Sequence, residues 1–94
     1  MITKKTIKKS FIVKNDKGLH TRPSTEIVRC LAKFKSNVTL QYGELTVNGK
    51  SLLGVMMLAA ECGAAIQVEV TGDDAKECLK TLLMLAEKKF HMEY

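Results

Sequence analysis

The chain has 94 residues, 46% of them hydrophobic, and carries 15 Lys and Arg against 10 Asp and Glu, a net charge of +5. That length points to one domain, residues 1–94, which can bury roughly 60–70% of its unfolded surface without help from metals or disulfides. No apolar run approaches the roughly 18 residues of a membrane span and no apolar h-region follows Met1–Thr6, so a soluble, cytoplasmic, monomeric protein is expected, with no membrane partner.

Ile7 to Lys14 reads as a strand, with Ile7, Phe11 and Val13 on one parity. The lysines Lys4, Lys5, Lys8 and Lys9 around its start read as a solvated strand edge. Asn15-Asp16-Lys17-Gly18 is a turn. Pro23 marks the first turn of a helix, where its missing N–H costs nothing. Ile27, Val28, Leu31 and Phe34 then fall at helical spacing, and Lys33 and Lys35 close that helix with positive charge. Val38–Tyr42 alternates as a half-buried strand, Gly43-Glu44 connects, and Leu45–Val47 alternates again, which makes a hairpin.

After the turn at Asn48-Gly49, Ser51 is the N-cap of a short helix through Met57, weakened by Gly54. Gly63 punctuates a loop, and Ile66, Val68 and Val70 form a last strand. Gly72-Asp73-Asp74 ends that strand and caps a long helix on which Ala75, Cys78, Leu79, Leu82, Leu83, Leu85 and Ala86 form an apolar stripe. Lys88 and Lys89 suit its C-terminus. The order is β-α-β-β-α-β-α. Alternating strands need one face covered and leave the other in water. The expected fold is therefore an α+β open-faced β-sandwich, with a four-stranded, mainly antiparallel sheet and three helices on one face.

The three cysteines, Cys30, Cys62 and Cys78, are odd in number and have no C-x-x-C spacing. This argues against disulfides or a metal site and makes each a small buried hydrophobe. No cofactor is implied. An RNA-binding sheet would need several stacking aromatics on central strands, and Tyr42 alone does not supply them, so no nucleic-acid partner is expected.

His20 directly precedes the first helix. Backbone N–H groups at a helix N-terminus favour an anion. Arg22, two residues on, carries a guanidinium that matches phosphate oxygens. Pro23 fixes the entry to the helix, and Gly18 lets the chain turn close by. The positive net charge favours phosphorylated or acidic partners. Together these residues describe a phosphate-binding histidine at the start of a helix.

Gly18-Leu19-His20, with Arg22 and Pro23, resembles the G-[LI]-H-x-R-P motif of HPr, the histidine-containing phosphocarrier of the bacterial phosphoenolpyruvate-dependent sugar phosphotransferase system. Lys50-Ser51-Leu52, with Gly54, Val55 and Met56, is similar to that family's second motif, and the distance between the two fits without a gap. The resemblance runs from about Ile7 to about Lys88. It implies a carrier rather than a complete enzyme. His20 would take a phosphoryl group from phosphorylated enzyme I at Nδ1 and pass it to IIA domains of sugar permeases, with Arg22 neutralising the phosphate. A regulatory or nitrogen-type paralogue, acting by protein binding rather than sugar uptake, stands as the alternative.

The same resemblance makes Ser51 a candidate phosphoserine, written by an ATP-dependent HPr kinase/phosphorylase. The added charge, roughly −1.5 to −2, alters the surface more than the fold. Leu52, Leu53 and Met56 are expected to dock partners, with Thr21, Ser24, Arg29 and Lys50 around them, while Val55 and Met57 are expected in the core. Three departures from the family pattern stand out. Ser24 replaces the usual alanine, Leu53 replaces a frequent methionine or phenylalanine, and the N-terminus is about five residues longer. The tail from Phe90 has no family counterpart, and His91 is taken as a terminal side chain.

Overall fold

The computed structural model describes residues 6–93. Lys4 and Lys5 of the basic cluster lie outside the described residues, as does Tyr94. The elements are β1 (Thr6–Ile12), α1 (Thr21–Leu31), β2 (Asn37–Tyr42), β3 (Leu45–Asn48), α2 (Leu52–Met57), β4 (Ala65–Thr71) and α3 (Ala75–Glu87), followed by a short turn, Lys89–His91. The order is the one the sequence predicts. The sheet runs β1-β4-β2-β3, and every pairing among the described strands is antiparallel.

Period-two alternation sets which face is covered. Phe11, Val38, Leu40, Ile66, Val68 and Val70 are buried on one face. Lys8, Ser10, Gln41, Gln67 and Glu69 are exposed on the other. The helices supply the second layer through Ile27, Leu31, Val55, Cys78 and Leu82, all fully or almost fully buried within the same cluster. Cys30 and Cys78 are the small buried hydrophobes expected, and burial pushes both thiols up, Cys78 to about 11. Cys62 departs from that expectation: it is exposed, on the turn before β4.

Two further expectations are corrected, and one open point is settled. First, α1 ends at Leu31, so Lys33, Phe34 and Lys35 lie beyond it. The chain tightens there, with Lys33 N–H donating to Cys30 and Phe34 N–H to Leu31, and Arg29 is the basic residue of the last turn. Second, Asp74 sits at the N-cap of α3 but its side chain does not cap it. The carboxylate instead accepts from Lys35 N–H (2.8 Å), Ser36 N–H (3.0 Å) and the Ser36 hydroxyl. Three donors gathered from the segment after α1 outcompete a single bond from its own helix. The Ser36 hydroxyl, then the Lys35 N–H, hold the Asp74 carboxyl below the usual carboxylate range.

The open point is the tail, which packs into the core through Phe90. Phe90 is fully buried and meets Phe11 edge to face, ring centroids 5.9 Å apart. The chain reaches this position through Lys89, Phe90 and His91 at φ of 53°, 55° and 66°. Such left-handed residues cost about 1–2 kcal/mol each outside glycine, and burial of the phenyl ring offsets that cost. The Asn15 side-chain amide donates to the Lys89 carbonyl (2.9 Å), which ties this turn to the loop leading to His20.

Candidate phosphoryl-transfer site

The loop before α1 is held from beneath. Gly18 has φ +70°, and a Cβ there would lie 2.2 Å from the Ala60 carbonyl oxygen, so only glycine fits. Leu19 N–H donates to that same oxygen (2.9 Å), and Gly18 N–H donates to the Asn15 carbonyl (2.9 Å). Leu19 is buried and anchors the loop in the core.

His20 is then the N-cap of α1, extended at φ −75° and ψ −170°. Its carbonyl accepts the first helical bond, from Ser24 N–H (3.1 Å), while its side chain makes no capping bond. The first turn of α1 holds no acidic residue. The partial positive charge of the helix N-terminus is therefore left for an anion. The imidazole is half-buried, with Nε2 shut off from solvent. The ring lines an open hollow of about 320 Å³ together with Lys17, Thr21, Met56 and Glu61. Arg22 and Thr21 are exposed on the first turn.

Ser51 caps α2 as predicted: its Oγ accepts from Gly54 N–H (3.1 Å). The residue is half-buried. α2 packs beside α1 and leaves Leu52, Leu53 and Met56 exposed, Leu53 at 72%. Met56 reaches the hollow of His20, so the apolar surface of α2 and the imidazole adjoin.

Other expected docking residues fare differently. Ser24 is fully buried, and its hydroxyl donates to the Leu19 carbonyl (3.0 Å). It braces the histidine loop and offers no surface to a partner. Met57, expected in the core, is 58% exposed, because a six-residue helix has little room to bury more than Val55. Lys50 reaches back to the Phe34 carbonyl with its Nζ (2.6 Å), tying the start of α2 to the end of α1. Arg29 is exposed and stands 3.7 Å from the Glu26 carboxylate.

Sequence reasoning missed Lys17 and Glu61, which share the hollow with His20. Lys17 reads as a turn residue, and nothing in the sequence brings Glu61, some forty positions away, to this loop. The one available signal is Gly18, whose left-handed turn implies that another backbone lies close above it.

A family model described as the "PTS HPr component phosphorylation site" matches residues 7–88. The chain belongs to the HPr family. A phosphocarrier protein HPr from Xylella fastidiosa is 41% identical over 81 residues, covering 86% of this chain and 91% of the relative. The crystal structure of HPr-C-His from Thermoanaerobacter tengcongensis superposes with a TM-score of 0.88 at 34% identity, covering 94% of this chain and 99% of that one. An HPr dimer from the same organism gives 0.73 at 36% identity, covering 85% and 92%. The open-faced sandwich is thus the HPr fold, and membership makes the protein a phosphocarrier of the phosphotransferase system. Among the described residues, no helix is long and apolar enough to cross a membrane.

Proposed function

We propose that this chain, one HPr-like domain over residues 1–94, carries a phosphoryl group on His20 Nδ1 from phosphorylated enzyme I to histidines of IIA domains. The observation that carries the reading is the placement of His20. It caps α1 with its backbone alone, closes Nε2 off from solvent and lines an open hollow with the rest of its ring. That leaves Nδ1 as the nitrogen for chemistry. Its lone pair attacks phosphorus, the N–P bond of the donor histidine breaks, and the donor imidazole keeps the electron pair. The second transfer runs the same exchange with His20 as donor.

The helix N-terminus and Arg22 stabilise the charge that the imidazole gains. Leu52, Leu53 and Met56 form the apolar part of the docking surface, with Thr21 and Arg29 at its rim. Work of this kind belongs in the cytoplasm, by a monomer. Ser51 is the regulatory site. Its phosphorylation by an ATP-dependent HPr kinase/phosphorylase would end the bond from Gly54 and set negative charge beside the α2 patch.

The test uses phosphoenolpyruvate and enzyme I. Wild type takes up acid-labile, base-stable phosphate, and His20→Ala takes up none. Equal labelling of the two proteins contradicts the reading.

A further inference from the structure

A second concave surface lies between β1 and α3 and shares no lining residue with the hollow of His20. Its floor is apolar, made by Ile7, Leu79, Leu83 and Met84, and its volume is about 570 Å³. A neighbouring hollow of about 290 Å³ shares Leu83 with it and extends it along β1 to Ile12. Met84 and Ile12 are 52% and 48% exposed. Among the described strands β1 lies at the edge and pairs with β4 alone, so its other side is an edge to which a strand can be added.

Positive charge predominates around this groove. Lys9, Lys76 and Lys80 rim it, and the one carboxylate in its lining, Glu87, is bridged by Lys14. We propose that the groove takes an extended acidic segment of a partner protein, laid along the open edge of β1. Strand addition supplies backbone hydrogen bonds, and alternate side chains of the segment meet the groove. Aliphatic ones cover Leu79, Leu83 and Met84, and carboxylates meet Lys9, Lys76 and Lys80.

Charge selects this occupant over others. A second copy of the chain pairing through the same edge would set Lys8 and Lys9 against the same lysines, and facing like charges are destabilising. Lys9, turned to the helix side, also discourages neutral strands, an ordinary protection of sheet edges. Only a strand carrying carboxylates converts that protection into attraction.

The test titrates the isotope-labelled full chain with a short peptide repeating Val-Thr-Glu-Thr, and with the Val-Thr-Lys-Thr repeat as control. Saturable shifts at β1 and α3, slowed amide exchange along β1 and several-fold weaker binding at high salt are expected for the acidic peptide alone. The exposed pair Lys76→Glu with Lys80→Glu loses that binding, keeps its folded spectrum and accepts phosphate from enzyme I at the wild-type rate. Absence of saturable binding, equal binding of both peptides, shifts confined to α2, or self-association of the free chain through β1 each overturn the proposal.

Discussion

Helices α1 and α2 pack side by side, yet their N-cap residues are used in opposite ways. Ser51 commits its side chain to the helix, with Oγ accepting from Gly54 N–H at 3.1 Å. His20 caps α1 through its backbone, and no side-chain hydrogen bond caps that helix. The unspent capping capacity at α1 is open to an anion. The difference separates a cap that holds structure from a cap that sets an imidazole at the positive end of a helix.

Substitution breaks this comparison most sharply at His20. His20→Ala abolishes phosphate uptake from enzyme I, while chemical denaturation shows a stability change below about 1 kcal/mol, because no side-chain cap is lost. Gly18→Ala comes next. The new Cβ meets the Ala60 oxygen and the backbone stays at φ +70°, so denaturation records a loss of about 1–3 kcal/mol. Phosphate uptake falls with it, because the loop under His20 must move.

Ser51→Ala is the converse of His20→Ala. It costs about 1 kcal/mol of stability through the lost cap and leaves the rate of phosphate acceptance unchanged. Ser51→Asp accepts phosphate from enzyme I several-fold more slowly, since it places charge beside Leu52 and Met56; an unchanged rate counts against Ser51 as a regulatory site.

Asp74 sharpens the comparison as a third kind of helix start, a side chain at the N-cap that serves another segment. Its carboxyl is held below the ordinary Asp value of about 3.9. Its contribution is therefore fully present above that value and is lost as pH falls through the lowered folded value. Asp74→Asn removes this acid dependence, seen as a flatter acid limb in stability against pH. The smallest effect belongs to Lys17, whose exposed charge shares the hollow with His20. Lys17→Gln slows phosphate acceptance about two-fold, and the difference shrinks as salt rises.

Much of this was legible in the residues. The strands announce themselves because one face is buried and the other wet, which enforces alternation at Ile66, Val68 and Val70. The stripe on α3 is legible for the same reason. His20 and Ser51 were legible as helix starts because Pro23 and a capping hydroxyl are local signals.

What could not be read depends on contacts distant in sequence. Asp74 looks like a cap for α3 until Ser36 is brought beside it. Ser24 looks like a surface residue until the Leu19 carbonyl turns over it. Met57 looks like core because its helix is apolar nearly all round, and only packing decides which turn faces water. Phe90 was hidden by its backbone, since three consecutive left-handed residues that carry side chains have no sequence signature. The groove beside β1 belongs with these, because Lys9 and Lys80 come to line one groove only when α3 folds onto the sheet.

The central claim is that the phosphoryl group resides on one nitrogen of one histidine. The chain has two histidines, His20 and His91, so ring-labelled nitrogen spectra with phosphorus coupling decide between four atoms. After treatment with phosphoenolpyruvate and enzyme I, the account predicts coupling to Nδ1 of His20 and unchanged signals for His91. Coupling at Nε2 of His20, or at either nitrogen of His91, would contradict it.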